Sequence, residues 1–134
     1  MVAEDWERHR RKWGQRMNLF YWLIGGRSVR SAVLSLYKRG LARAEKHDDA
    51  GAMEAYTAVI DLPDAPEDVK AMVLYNRALL FAAAGRTDKA LADLQTVMEM
   101  PMPMHGIKLA ARRRLERLHH RQEAAARADQ RSTT

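Results

Sequence analysis

The feature that most constrains the fold is an internal repeat, in which two stretches of the chain align when the sequence is shifted by 38 places. Identical residues meet in one register at Leu36/Leu74, Tyr37/Tyr75, Arg39/Arg77, Leu41/Leu79, Ala44/Ala82, Ala52/Ala90, Val59/Val97 and Pro63/Pro101. Chance similarity between two alanine-rich helices would not keep a single register without a gap. We therefore interpret the two stretches as copies of one structural unit.

Each copy has the residue pattern of two helices joined by a turn. Apolar residues of the second copy recur at helical spacing, at Val69, Met72, Val73, Leu80 and Ala84. Pro66 followed by Glu67 and Asp68 is typical of a helix start, and Gly85 is typical of a helix end. Strong helix formers are plentiful throughout the chain. The sequence predicts an all-α fold.

The order of small and aromatic residues in the second copy resembles a tetratricopeptide repeat. The positions that carry the resemblance are Leu74, Ala78, Phe81, the turn glycine Gly85 and the small Ala90. The first copy departs from the pattern, because Arg43 stands for the aromatic residue and His47 for the turn glycine. The interval is also longer than the usual repeat of about 34 residues. The resemblance covers roughly 33–102 and implies two antiparallel helical hairpins, 33–64 and 71–102, in a short right-handed α-solenoid with extra N- and C-terminal helices.

The chain divides into segments of different charge. Residues 1–27 carry six Lys/Arg and three acids, and we expect a Trp-rich basic N-terminal helix there. Residues 28–104, with nine Lys/Arg and eleven acids, hold the two hairpins. Residues 105–134 carry eight Lys/Arg and three acids, which suggests a basic capping helix over 105–126 and a disordered tail over 127–134.

A concave groove built from the first helix of each hairpin is the candidate binding site that the resemblance implies. Its predicted residues are Tyr37, Lys38, Leu41, Tyr75, Asn76, Leu79, Arg113 and Arg114. Arg forks onto carboxylates and Asn both donates and accepts hydrogen bonds, so an acidic peptide or protein is the expected partner. The alternative is that the polar residues of this set are merely solvated positions on helix faces.

The N-terminal segment is a second candidate interaction site. A helix that begins near Asp5 would place Trp6, Trp13, Met17, Phe20 and Ile24 on one stripe, and Trp22 is the third Trp of the chain. Three interpretations stay open: a cap that packs on the first hairpin, a helix for homodimerisation or partner docking, and a basic helix at a membrane surface.

Other function classes find little support in the sequence. The arginines of 112–121 lack the aromatic interleaving that base stacking needs, which argues against nucleic acid as the partner. The five His have no ligand partners at metal-binding spacing, and the chain has no Cys. We find no phosphate-binding loop, nucleophile elbow or acid–base pair. The sequence therefore predicts a cytoplasmic protein that is not an enzyme and has no metal or cofactor.

Overall fold

The structure, a computed structural model, describes residues 29–101 and 104–133. They form five helices, namely α1 (Val29–Glu45), α2 (Asp49–Ile60), α3 (Glu67–Ala83), α4 (Thr87–Glu99) and α5 (His105–Ser132). No strand occurs among these residues, and the predicted all-α class is confirmed for them. None of the five helices is both long enough and apolar enough to cross a membrane. The N-terminal helix expected over 1–27 lies outside the described residues.

The turns after α1 and α3 use the same backbone conformation at equivalent places of the repeat. His47 has a φ of 60° and Gly85 a φ of 74°, both in the left-handed region. Glycine adopts this region without a steric penalty, whereas a residue with a Cβ does so at a cost. After His47, the Asp48 carboxylate accepts a hydrogen bond of 3.0 Å from the Gly51 amide and caps α2. The chain therefore makes the same turn twice, once with glycine and once without it.

Helices α1 and α3 lie side by side and point in the same direction. At their starts, the Arg30 guanidinium donates to both oxygens of Asp68, with the shorter contact at 2.7 Å. Half-way along, the Asn76 amide donates to the Tyr37 hydroxyl at 2.9 Å. The two contacts follow in the same order on both helices, which only parallel neighbours allow.

The core consists of two apolar clusters that share α3. The first joins α1, α2 and the start of α3, and its buried members are Val33, Ala52, Tyr56, Val59, Leu62, Ala65, Val69 and Val73. The second joins α3, α4 and α5 through Ala71, Leu74, Ala78, Phe81, Ala90, Leu94, Val97, Met100, Ala111 and Leu118. Helix α3 buries different faces in the two clusters, so it connects the halves of the molecule.

A close approach between α1 and α2 depends on a glycine. A Cβ built on Gly40 would lie 2.5 Å from Cε1 and 2.7 Å from Cδ1 of Tyr56, whose ring is 1% exposed. These distances are far below the ordinary carbon–carbon contact of about 3.5–4.0 Å. The equivalent position in the second copy is Ala78, which is buried in the second cluster. The first helix pair therefore packs more closely at this point than a methyl group would permit.

A buried ion pair joins α3 to α4. The Arg77 guanidinium donates two hydrogen bonds of 2.7 Å to the carboxylate oxygens of Asp93, and a third of 3.2 Å to the Thr57 hydroxyl on α2. The side chains of Arg77 and Asp93 are only 18% and 9% exposed. Because the guanidinium holds three helices at once, its removal would leave a carboxylate and a hydroxyl without their partner.

Helix α5 continues well beyond its last buried residue, Leu118, and every described residue after it is exposed. The sequence predicts disorder from residue 127, but the helix reaches Ser132. Local interactions favour this extension. The run 124–126 is all Ala, the best helix former, and Arg127 and Glu123 form an i, i+4 pair of 3.4 Å.

Candidate peptide-binding groove

Tyr37 on α1 and Asn76 on α3, both predicted groove residues, are in direct contact. The Asn76 amide nitrogen donates one hydrogen bond to the Tyr37 hydroxyl and a second, of 3.0 Å, to the Met72 carbonyl. An amide has only two N–H donors, so both are in use. Both N–H groups of Asn76 are therefore engaged within the protein, and its side-chain oxygen remains as an acceptor.

The Tyr37 hydroxyl keeps its own proton for a further acceptor. Burial raises the pKa of Tyr37 above its usual value, although the hydrogen bond from Asn76 acts in the opposite direction. The ring of Tyr37 stands 6.2 Å from that of Tyr56, centre to centre, at an angle of 43°. The Tyr37 hydroxyl is therefore a neutral hydrogen-bond donor, and its position is fixed by the Tyr56 ring and the Asn76 amide.

The Tyr37–Asn76 bond places two partly apolar helix faces next to each other. On α1 this face carries Leu34, Tyr37 and Leu41, at i, i+3 and i+7. On α3 it carries Met72 and Leu79, at four residues before and three after Asn76. All are partly buried, and Leu79 lies outside both core clusters. Leu34 and Met72 are absent from the predicted set, although their helical spacing from Tyr37 and Asn76 could have revealed them.

Helix α5 carries the two predicted arginine residues, Arg113 and Arg114. It packs mainly against α4 and makes fewer contacts with α3. Arg114 lies one repeat interval of 38 residues after Asn76 and is its equivalent on α5. At the same interval, Arg113 is the equivalent of Tyr75, and Tyr75 is the equivalent of Tyr37. Arg113 is exposed, whereas Arg114 is partly buried and its Nε has no hydrogen-bond partner. A buried N–H without an acceptor is costly to the fold, and because this nitrogen is closed to solvent, a ligand oxygen could reach it only after the side chain had moved.

The arginines in the middle of α5 form no ion pair with another described residue. Arg30, Arg43, Arg77 and Arg127 each have a carboxylate partner within 4.0 Å. Among the described acids, none pairs in this way with the α5 arginines 112, 113, 114, 117 and 121. Lys38 on α1 is exposed and likewise has no acidic partner among the described residues. Within the described residues, these positive charges are therefore not neutralised by a neighbouring carboxylate.

The groove is defined here as the faces of α1 and α3 around Tyr37 and Asn76, together with Arg113 and Arg114 of α5. The apolar residues of α1 and α3 form its floor, and α5 contributes the two arginines. Tyr75 is partly buried and packs against the second core cluster, so it supports the floor more than it presents a polar group. Such a surface suits a segment that is apolar on one side and acidic on the other.

The other sequence-predicted site falls outside the description. Trp6, Trp13, Met17, Phe20 and Trp22 all precede Val29, the first described residue. Within 29–101 and 104–133, no three potential metal-ligating side chains gather at one place. Comparison with protein-family models, with curated proteins and with solved structures finds no match.

Proposed function

We propose that this chain is a tetratricopeptide-like interaction module that binds an acidic peptide or protein segment through the groove. The observation that carries the proposal is the 2.9 Å hydrogen bond from Asn76 to Tyr37, which joins the partly apolar faces of α1 and α3. The repeat interval of 38 and the parallel course of α1 and α3 support repeated helical hairpins in a short solenoid. The proposal includes a non-enzymatic role and a cytoplasmic location, in keeping with a chain that has no cysteine.

The charge of the site selects the chemistry of the partner. Lys38 on α1 and Arg113 on α5 are exposed cations, and Arg114 on α5 is a partly buried one. Carboxylates suit all three, and guanidinium groups bind them with paired hydrogen bonds. Leu34, Leu41 and Leu79 would take the apolar side chains of the same segment.

A direct test uses a defined probe and the full chain. The probe is a fluorescein-labelled amphipathic peptide with Leu at helical spacing and Glu elsewhere, and its counterpart has Lys in place of each Glu. Fluorescence anisotropy should show saturable binding of the Glu probe only. The affinity should fall as salt rises, because salt screens the contacts between the Glu residues of the probe and the Lys and Arg residues of the groove.

The variant Lys38→Glu/Arg113→Glu changes two exposed groove charges, so the fold should be kept. At about 0.7 kcal/mol for each exposed charge, the double variant should bind the Glu probe about tenfold more weakly. Lys46→Glu/Arg131→Glu makes the same change of net charge at exposed sites away from the groove. Equal losses in the two variants would mean that the probe senses net charge, and the groove proposal would be abandoned.

A further inference from the structure

Helix α5 carries most of its arginines and its acids on different sides. Successive residues of a helix are rotated by about 100° around its axis. Measured from Arg117 in this way, the acids of α5 all lie about 100–120° away, and they are Glu116, Glu123 and Asp129. From residue 110 onward, the residues within about 40° of Arg117 are Ala110, Arg113, Arg121, Ala124, Ala128 and Arg131. This side of the helix is therefore cationic and carries no acid.

The middle of this side carries three arginines at a spacing of four residues, Arg113, Arg117 and Arg121, which we call the arginine row. All three are exposed, and none forms an ion pair with another described residue. The buried residues Ala111 and Leu118 lie about 100–120° from Arg117, so the packing of α5 against α3 and α4 leaves the row open. Like charges four residues apart destabilise a helix, and an anionic partner would relieve this repulsion.

The neighbours of the arginine row favour a protein among the anionic partners. Stable binding to a membrane surface needs large apolar side chains beside the cations, but Ala is the only apolar residue on this side from 110 to 131. Single-stranded nucleic acid is held by stacking on aromatic side chains, and this side has none over the same range. Carboxylates of a protein need only exposed guanidinium groups with room around them, and the alanines leave that room.

The spacing of the arginine row matches a second helix. Residues four apart on a helix are separated by about 6 Å along its axis. Carboxylates at i, i+4 and i+8 of a partner helix recur at the same interval, so all three arginines can be paired at once. The small side chains of Ala124 and Ala128 let a partner helix pack close to α5 beyond the row. From Arg113 to Arg131 this side is about 27 Å long, which is the length of a partner helix of roughly 18 residues.

We propose that the arginine row of α5 docks an acidic helix of a partner protein, whose carboxylates are spaced at i, i+4 and i+8. The row is a surface beyond the groove, which includes Arg113 but neither Arg117 nor Arg121. It does not depend on the apolar floor, because guanidinium groups bind carboxylates through charge-assisted hydrogen bonds. The row and the groove can therefore be tested separately.

Two peptides of the same composition test the spacing. The spaced peptide is a fluorescein-labelled helix of Ala and Gln with Glu at every fourth position, and the scattered peptide has its Glu residues distributed around the helix. Neither contains a large apolar residue. In fluorescence anisotropy with the full chain, the spaced peptide should bind about tenfold more tightly, because the scattered peptide loses about two of the three pairs. Equal affinities would overturn the proposal.

A pair of variants tests the row itself. Arg117→Ala/Arg121→Ala removes two of its charges while keeping good helix formers, and should bind the spaced peptide about tenfold more weakly. Arg112→Ala/Arg127→Ala is the matched control, since it removes the same charge from exposed positions of the same helix that lie off the row. Far-UV circular dichroism shows whether both variants keep their helix content. Equal losses in the two variants would mean that the peptide senses net charge, and the row would be rejected.

Competition identifies the class of partner. A mixed-sequence DNA duplex that displaces the spaced peptide at a concentration below that of the unlabelled peptide would overturn the choice of a protein helix, because a duplex backbone needs only cations. Leu79→Ala distinguishes the row from the groove. It should weaken binding of the Leu-containing Glu probe and leave binding of the spaced peptide unchanged, since Leu79 belongs to the floor. If the Glu probe fails to bind while the spaced peptide binds through Arg117 and Arg121, the groove proposal fails and the arginine row stands.

Discussion

Gly40→Ala should destabilise the protein although it replaces glycine by the best helix former. A Cβ at this position would lie 2.5 Å from the Tyr56 ring, so the ring must move by about 1 Å to reach an ordinary contact. Tyr56 is 1% exposed, so its ring is enclosed by other residues that would have to move with it. Overpacking of this kind costs about 3 kcal/mol at the upper end of its range, and helix propensity returns about 1 kcal/mol. The expected net loss is about 2 kcal/mol.

The assay is thermal and urea unfolding followed by far-UV circular dichroism, with Gly106→Ala as the control. A Cβ on Gly106 meets nothing within 4 Å, so this variant should gain up to about 1 kcal/mol from helix propensity alone. The melting temperature of Gly40→Ala should fall by about 8 °C at roughly 4 °C for each kcal/mol. A smaller residue in place of Tyr56 should remove part of the clash. The changes in the free energy of unfolding caused by Gly40→Ala and Tyr56→Leu should therefore be non-additive in the double variant. A Gly40→Ala protein as stable as the wild type would refute the close approach of α1 and α2.

Three other contacts give expected outcomes. Asp93→Ala leaves Arg77 buried without its carboxylate and should lower the free energy of unfolding by about 3 kcal/mol in urea titrations; unchanged stability would contradict the role of the pair. The hydrogen bond from Arg30 holds the pKa of Asp68 below its usual value. The Asp68 carboxylate therefore stabilises the fold at pH values above its unfolded-state pKa, and this stabilisation is lost as the pH falls through the pKa of the folded state. Arg30→Gln should therefore raise the pKa of Asp68 in an NMR titration. An unchanged pKa would contradict the hydrogen bond between Arg30 and Asp68. His47→Gly relieves a left-handed residue with a Cβ and should add about 1 kcal/mol to stability in thermal unfolding; a lower melting temperature would show that the turn carries no such strain.

The helical class followed from the sequence because it depends on local propensity and spacing, which a single chain displays directly. The repeat interval also predicted which helices lie in equivalent places, and Arg30 contacts Asp68 at that same interval of 38. Side-chain partners were harder to foresee. Arg39 and Arg77 are equivalent in the repeat, yet only Arg77 has an acid opposite it, because the counterpart of Asp93 in the first copy is Ala55.

The same holds for the groove: the sequence pattern predicts which helices form it, whereas the side-chain contacts depend on how those helices pack. Its helices could be chosen from the repeat, and Tyr37 and Asn76 do meet. The hydrogen-bond partner of the Asn76 amide could not be inferred from the sequence. That partner is the Tyr37 hydroxyl, which comes within 2.9 Å only when α1 and α3 pack together. Likewise, the sequence near Arg114 gives no sign that its Nε is buried without a hydrogen-bond partner, because burial depends on the packed structure.

The C-terminal part of α5, residues 119–132, should unfold locally before the rest of the protein. From His119 to Ser132 the helix has no buried residue, and isolated helices shorter than about 12–15 residues are marginal in water. This stretch is stabilised at one end only, by the turn around Leu118. Its amide hydrogens should therefore exchange with solvent in order, fastest near Ser132 and slower toward Leu118, by local fraying that proceeds while the two core clusters remain closed.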